Sequence, residues 1–394
     1  MRPVIREQEF ADRWKKVQAL MEEQKVDLVA AYADDRYVYG QAYSRWLVDY
    51  EPQFEAAFVL VPAVGEPCII TGAESVEFAL LSSKCKNVKA IWEFLHPDEE
   101  YPYCEVTSLE VVIRELEESS GRKITNVGIA GKSAVPYDLY HTLIGQFGEE
   151  HMMDMDSSMS MLRAVKTENE IEVIRYAYQI AEAGMQKVYE SIREGITERE
   201  IAAEAEYVMR KMGAEGMGIS MMINSGRENT SPILSRTTFR KIEKGDLVVA
   251  TIAPRYEGYH GAIGRPFVLG TPADDVKRYI ELVMYAQEET RKMLRPGVSA
   301  REMDAISRKY IEEAGMGSHF AYTGIHSTGT IEFEPPILSS KLDLTLQKNM
   351  VFSIDIPMFL NDWGGMRLEN GYLVTEDGCE ALCSCDVHYR KESL

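Results

Sequence analysis

Cysteine is scarce in this sequence: six residues in 394, too few and too scattered for a disulfide framework. Cys379, Cys383, Cys385 and His388 bunch near the C-terminus. Lacking paired C-x-x-C knuckles, they read as reduced thiols rather than a structural zinc site. Long apolar runs are also missing. The longest, Ala56 to Val64, is about half of what a membrane-spanning helix needs. The N-terminal stretch Met1-Arg-Pro-Val-Ile-Arg-Glu-Gln-Glu-Phe10 has no signal-peptide core. Positive charge is in deficit, with 43 Lys and Arg against 63 Asp and Glu and a net charge of −20. Such a surface repels phosphate, so neither nucleic acid nor an anionic membrane is an expected partner. These absences suggest a soluble, cytoplasmic protein.

What is present is ordinary globular composition, 45% apolar and 27% charged, on a chain long enough for two domains. Residues 8 to 24 carry Phe10, Trp14, Val17, Leu20 and Met21 at helical spacing. Strand-length apolar runs follow at 27–33, 56–62, 67–71, 88–92 and 124–129, alternating with helical patterns at 75–81, 108–118 and 137–147. That alternation predicts an α/β domain with a parallel or mixed sheet over residues 1–158. No glycine-rich phosphate loop occurs in it.

A second domain is expected over 159–394. Long helical patterns run from Glu168 to Ile192 and from Thr197 to Met212, the latter with Glu200 completing a capping box. The segment Ile192-Arg-Glu-Gly-Ile-Thr-Glu-Arg-Glu-Ile201 returns 102 residues later as Leu294-Arg-Pro-Gly-Val-Ser-Ala-Arg-Glu-Met303. Lys244-Gly-Asp-Leu-Val-Val-Ala-Thr251 is answered by Lys348-Asn-Met-Val-Phe-Ser-Ile-Asp355. Two copies are too few for a solenoid. They suggest one domain with an internal pseudo-two-fold and a cleft between its halves, in which Thr251 and Asp355 are equivalent.

Candidate chemical groups concentrate in this second domain: Tyr259, His260, His326, Glu332, Glu334, Asp355, Arg367 and Glu369. Asp355 lies in the nearly all-apolar run Val351–Ile356, where a carboxylate needs a partner. His326 lies in the small-residue run Thr323-Gly-Ile-His-Ser-Thr-Gly329, through which a backbone can approach a ligand closely. One His, one Asp and one Glu on three elements suit acid–base work or metal ligation.

The second domain resembles the pita-bread family of methionine aminopeptidase, aminopeptidase P, prolidase and the metal-free creatinase. The likeness rests on Leu162-Arg-Ala-Val-Lys-Thr-Glu-Asn-Glu-Ile171, Lys241-Ile-Glu-Lys-Gly-Asp-Leu-Val248, Gly258-Tyr-His260, Glu334-Pro-Pro336, Met350-Val-Phe352, Gly364-Gly-Met-Arg-Leu-Glu369 and Thr375-Glu-Asp-Gly378. The first domain resembles the N-terminal domain of prolidase and creatinase more weakly. In the family's peptidases two Asp, one His and two Glu hold a pair of metals. Carried over, the resemblance places His326 and Glu369 in that set, puts Asp355 in place of a Glu, and leaves Thr251 and Ala262 at the two Asp positions. Phe333 stands where the peptidases have a His, and no His occurs near Ser231-Pro-Ile-Leu234, which supplies creatinase's catalytic His.

Two divalent ions repel strongly in a low-dielectric site, and this reduced set cannot offset that repulsion. The expectation is therefore a metal-independent, creatinase-like hydrolase or lyase cleaving a C–N bond in a small guanidino or amidine acid, with no cofactor. A single divalent metal on His326, Asp355 and Glu369 is the variant of that reading. His326, Asp355 and Glu369 would be catalytic. Arg367, Tyr259, His260, Tyr322 and Arg45 would bind substrate, Arg45 across a homodimer interface through which the N-terminal domain serves its neighbour's site. The alternatives are an Xaa-Pro metallopeptidase with a reduced metal site, and a peptide-binding module without catalysis.

Overall fold

The computed structural model describes residues 2–36, 38–384 and 390–391. Cys385 and His388 lie outside the described residues. The chain forms two compact units, residues 5–163 and residues 164–394 joined by the first four. The division falls a few residues beyond 158 because Met155 and Met159 are buried in the N-terminal core. No helix among the described residues is long and apolar enough to cross a membrane.

The first unit runs α1 (Glu7–Gln24), β1 (Leu28–Ala33), α2 (Ala42–Val48), β2 (Ala57–Pro62), β3 (Cys68–Thr71), α3 (Val76–Ser82), β4 (Val88–Ile91), β5 (Val106–Thr107), α4 (Leu109–Ser120), β6 (Val127–Ala130), α5 (Tyr137–Phe147) and β7 (Met152–Asp154). The division lies in α6 (Asp156–Ala164). The strands form one sheet in the order β5-β4-β3-β2-β1-β6-β7. It is mixed: β2 is antiparallel to β1 and β3, and the outer pairs are parallel. β1, β2 and β3 are buried along their whole length, which is why they read as continuous apolar runs rather than alternating ones.

The second unit comprises α7 (Glu168–Ser191), α8 (Glu198–Met212), β8 (Gly216–Met217), β9 (Met222–Ser225), α9 (Gly226–Thr230), β10 (Leu247–Ile252), β11 (Pro254–Tyr256), β12 (Tyr259–His260), β13 (Ile263–Leu269), α10 (Asp274–Met293), α11 (Ala300–Glu313), β14 (Ile325–Ser327), β15 (Glu334–Ile337), β16 (Val351–Asn361), β17 (Gly364–Val374), β18 (Cys379–Ala381) and β19 (Arg390–Lys391). Its main sheet has the path β15-β14-β16-β17-β13-β10-β9, with β18 on β17 and β19 on β13.

The repeat in the sequence is a repeat in space. β9, β10 and β13 of one copy mirror β14, β16 and β17 of the other about the β13–β17 seam. Both second helices start on capping boxes, Thr197 with Glu200 and Ser299 with Glu302. Both are preceded by a left-handed glycine, Gly195 and Gly297, whose N–H groups donate to Ile242 and Leu346. Even the isolated bridges correspond, Thr197 with Lys241 and Ser299 with Thr345.

One buried carboxylate ties the first copy together. Glu198 is fully buried and accepts four hydrogen bonds, from the N–H and hydroxyl groups of Ser225 and Thr238, at 2.7–2.8 Å. It thereby ties the end of β9 and the loop at Thr238 to the start of α8. Glu198→Ala leaves two buried and two half-buried donors without this acceptor and is expected to cost on the order of 3 kcal/mol in denaturant unfolding, with Glu198→Gln losing clearly less. Equal unfolding free energies for wild type and Glu198→Ala would rule out this anchoring role.

Candidate metal centre and active site

Four strands lay one row of residues across the seam of the second unit. Thr251 of β10 pairs with Gly264 of β13, Gly264 with Glu369 of β17, and Glu369 with Asp355 of β16. Directly opposed residues share a face, so this row points to one side of the sheet. The pseudo-two-fold exchanges Thr251 with Asp355 and Gly264 with Glu369. One half of the row is acidic and the other neutral. The next row carries His326 opposite Ser353 and Ser353 opposite Gly371.

The acids are buried and differently held. Glu369 Oε1 accepts a 2.7 Å hydrogen bond from Ser353 and lies 3.7 Å from His326 Nε2, while its Oε2 has no partner among the described residues. Asp355 Oδ2 accepts from the Tyr322 hydroxyl and faces Arg367 Nη1 at 3.9 Å, and its Oδ1 is unpartnered. His326 Nδ1 sits 3.0 Å from the Ser327 carbonyl, which fixes a proton on Nδ1 and turns Nε2 toward Glu369. The ring is packed against Phe333, centroids 4.1 Å apart.

Burial pushes Glu332 up to about 7, with the Glu369 charge adding to it, and burial likewise pushes Asp355 up to about 6 against the opposing pull of Arg367. For Glu369, burial is outweighed by His326 and Arg367, and it stays below the ordinary carboxylate value. His326 is raised, the neighbouring Glu369 and Glu332 overcoming the cost of burial. Competition between neighbouring acids for a proton is thus the pattern here.

Ligand atoms from His326, Glu332 and Glu369 all lie within 4.8 Å of one another. Glu332, rather than Asp355, completes that group, since the Asp355 carboxylate is committed to Tyr322 and Arg367. Glu332 lies in the bend before β15 and Glu334 is that strand's first residue, so the two acids are not in one strand register. Glu334 is spent elsewhere, in a buried ion pair with Lys166 at 3.2 Å. Three buried carboxylates against one buried guanidinium leave a negative excess, and with an orphaned oxygen on Glu369 the set fits one divalent cation. It does not fit two, because Thr251, Ala262 and Gly264 bring no charge.

The remaining sequence candidates are scattered. Arg367 lines a small recess with Thr251, Asn224, Pro232, Ile233 and Phe359, its guanidinium over the Phe359 ring. The Tyr259 hydroxyl is committed to Glu170 at 2.6 Å. His260 is fully buried, with Nδ1 2.9 Å from the Gly329 carbonyl, and burial with the Arg255 charge holds it down at about 3. Arg45 belongs to the first unit, where it pairs with Asp49 at 3.4 Å.

The profile of metallopeptidase family M24 matches residues 172–376, just over half of the sequence. The chain belongs to this family. Xaa-Pro dipeptidase of Pyrococcus horikoshii is 32% identical over 259 residues, covering 66% of this chain and 73% of the relative. Xaa-Pro dipeptidase of Pyrococcus furiosus is 32% identical over 256 residues, 65% and 73%. Among solved structures, an X-Pro aminopeptidase from Thermotoga maritima and the Pyrococcus horikoshii prolidase each superpose with a TM-score of 0.80 at 26% identity, over 96% of this chain and 99% of theirs. The fold is that of the pita-bread enzymes, and the protein is a hydrolase of family M24. The expectation of a metal-independent, creatinase-like hydrolase or lyase is overturned, because these relatives are Xaa-Pro peptidases of a metallopeptidase family. The expected absence of a cofactor loses its support with it.

The acid cluster sets a pH dependence. Glu332, Asp355 and His326 bind protons more tightly folded than unfolded, so their contribution to stability is lost as pH rises through their folded values. Between about pH 4.5 and 7 the metal-free protein is expected to lose stability as Asp355 and Glu332 give up their protons, and Glu332→Gln to flatten that fall. Saturating manganese is expected to raise the melting temperature more at the upper end of the window than at the lower. A metal-free profile that rises across the window would contradict this assignment.

Proposed function

We propose that the chain hydrolyses the amide bond of Xaa-Pro dipeptides, with a cation site reduced to one divalent ion on His326, Glu332 and Glu369. The carrying observation is that cluster of buried ligand atoms, in a chain whose relatives are Xaa-Pro dipeptidases. An ion held there supplies Lewis acidity and lowers the pKa of water.

The chain's own residues do the rest. The Ser353 hydroxyl holds Glu369 through Oε1, leaving its outer oxygen unpartnered among the described residues and able to accept a proton from water. Asp355, anchored through Oδ2 by Tyr322 and Arg367, keeps Oδ1 open to take a proton or pass one to the departing proline nitrogen. The Arg367 guanidinium, in its recess beside the neutral Thr251, suits the substrate's carboxylate. Fully buried acids and the apolar sheet beneath them keep bulk water from the reacting bond.

The test is metal analysis of the purified protein with assays on Xaa-Pro dipeptides. One equivalent of manganese or cobalt per chain is expected to support hydrolysis, a chelator to abolish it, and Glu369→Gln to lower kcat by about 10²–10⁴-fold. Two bound ions per chain would refute the reduced site. No proline released under any divalent metal would refute the peptidase reading.

A further inference from the structure

We propose that Tyr178 is a catalytic hydrogen-bond donor of this site, its hydroxyl placed to hold the scissile carbonyl oxygen as negative charge develops on it. The proposal rests on the peptidase reading above and assigns that reaction a residue from a helix, α7, that supplies none of the acids.

Tyr178 is completely buried, and its hydroxyl makes no hydrogen bond among the described residues. A hydroxyl sealed from water without a partner is costly, and a purely structural core position is served as well by phenylalanine. The tip of the ring lies on Gly371, where a Cβ would collide with the ring and its oxygen. Gly371 follows Glu369 by two residues on β17, so the phenol occupies the same face of the sheet as the catalytic carboxylate. Gly371 pairs across the sheet with Ser353, whose hydroxyl donates to Glu369, so the phenol tip lies beside the strand pair that holds this clustered ligand.

The backbone completes the arrangement. A Cβ at Gly261 would come within 2.6 Å of the Ala177 carbonyl and the Tyr178 nitrogen, so the 261–262 turn is pressed onto α7 beside the phenol. Ala262 is where the family resemblance expects a metal-holding acid. In this chain the same corner presents a neutral donor, which stabilises an oxyanion but binds no cation. A phenol is protonated at neutral pH, so no titration is needed for the role.

Tyr178→Phe removes only the oxygen and tests this directly. The probes are an Xaa-Pro dipeptide and its phosphinate analogue, whose tetrahedral anionic oxygens mimic the developing oxyanion. Calorimetry is expected to show at least about tenfold weaker phosphinate binding by the variant, with dipeptide and manganese affinities unchanged. In turnover, kcat should fall about 10²-fold at constant KM. A 3-fluorotyrosine at position 178 keeps the hydroxyl, makes it more acidic, and should tighten phosphinate binding. Wild-type phosphinate affinity in Tyr178→Phe, or no response to fluorination, overturns the proposal. Failure of the peptidase reading would show separately, as wild-type protein that releases no proline.

Discussion

The second unit is organised around a buried excess of negative charge. Asp355 and Glu369 on neighbouring strands, with Glu332 from the bend before β15, are brought together in the buried interior, and the buried Arg367 guanidinium faces Asp355. Desolvating three carboxylates costs more than one guanidinium returns, so the remainder must be met by hydrogen bonds, protons or a cation. Each response is visible. Ser353 and Tyr322 donate to Glu369 and Asp355, His326 is drawn toward its charged form, and Glu332 and Asp355 hold protons to higher pH than ordinary acids. Because protons and a divalent cation satisfy the same excess, the affinity for one depends on the occupancy of the other.

Glycine makes this crowding sterically feasible. At Gly264 a Cβ would meet the Arg367 stem at 2.9 Å and Glu369 at 3.0 Å, so the missing side chain lets the arginine lie across β13 toward its recess. At Gly371 the missing side chain admits the ring of Tyr178, and at Gly324 it admits the Asp355 carbonyl, which accepts no ordinary approach from a substituted residue. The Asp355 N–H in turn donates to the Gly324 carbonyl, so β16 is fixed at the acid itself. These are close-approach requirements, distinct from the left-handed turns at Gly195 and Gly297 that start the repeated helices.

Much of the scaffold was legible in the sequence, because its signals are local. Capping boxes at Thr197 and Ser299, and left-handed glycines before them, are read from a few neighbouring residues and recur at a fixed offset. That offset also exposed the equivalence of Thr251 and Asp355, which the sheet register bears out. The site was legible only in part. His326, Asp355 and Glu369 stand out as polar residues in apolar strands. Glu332 and Glu334 are indistinguishable by composition, and only Lys166, distant in sequence, decides which one is neutralised. Tyr178 sits in an ordinary amphipathic helix, and its hydroxyl gains meaning only from Gly371, nearly two hundred residues away. The creatinase-like expectation went wrong for a related reason: counting lost ligands measures how many ions a cage can hold, and it does not by itself change the bond the scaffold is built to cleave.

Scaffold and cage are physically separable in this architecture, and that separation explains how a chain can keep the family's fold with an altered site. The contacts that define the repeat, from the helix caps to the Gly195 and Gly297 hydrogen bonds, lie at the helix starts and make no use of the acids in the central row. Replacing an acid of the first copy by Thr251 or Ala262 removes repulsion as well as ligands, so the sheet does not suffer for it. The neutral half then differs from the acidic half in what it can approach. A second cation would find no counter-charge there, whereas a carboxylate or a developing oxyanion would find the Arg367 guanidinium and uncharged donors with no acid of that half to repel it. Under the proposed reading, the asymmetry of one row of four residues shifts the first half-site from holding metal toward holding the organic ligand.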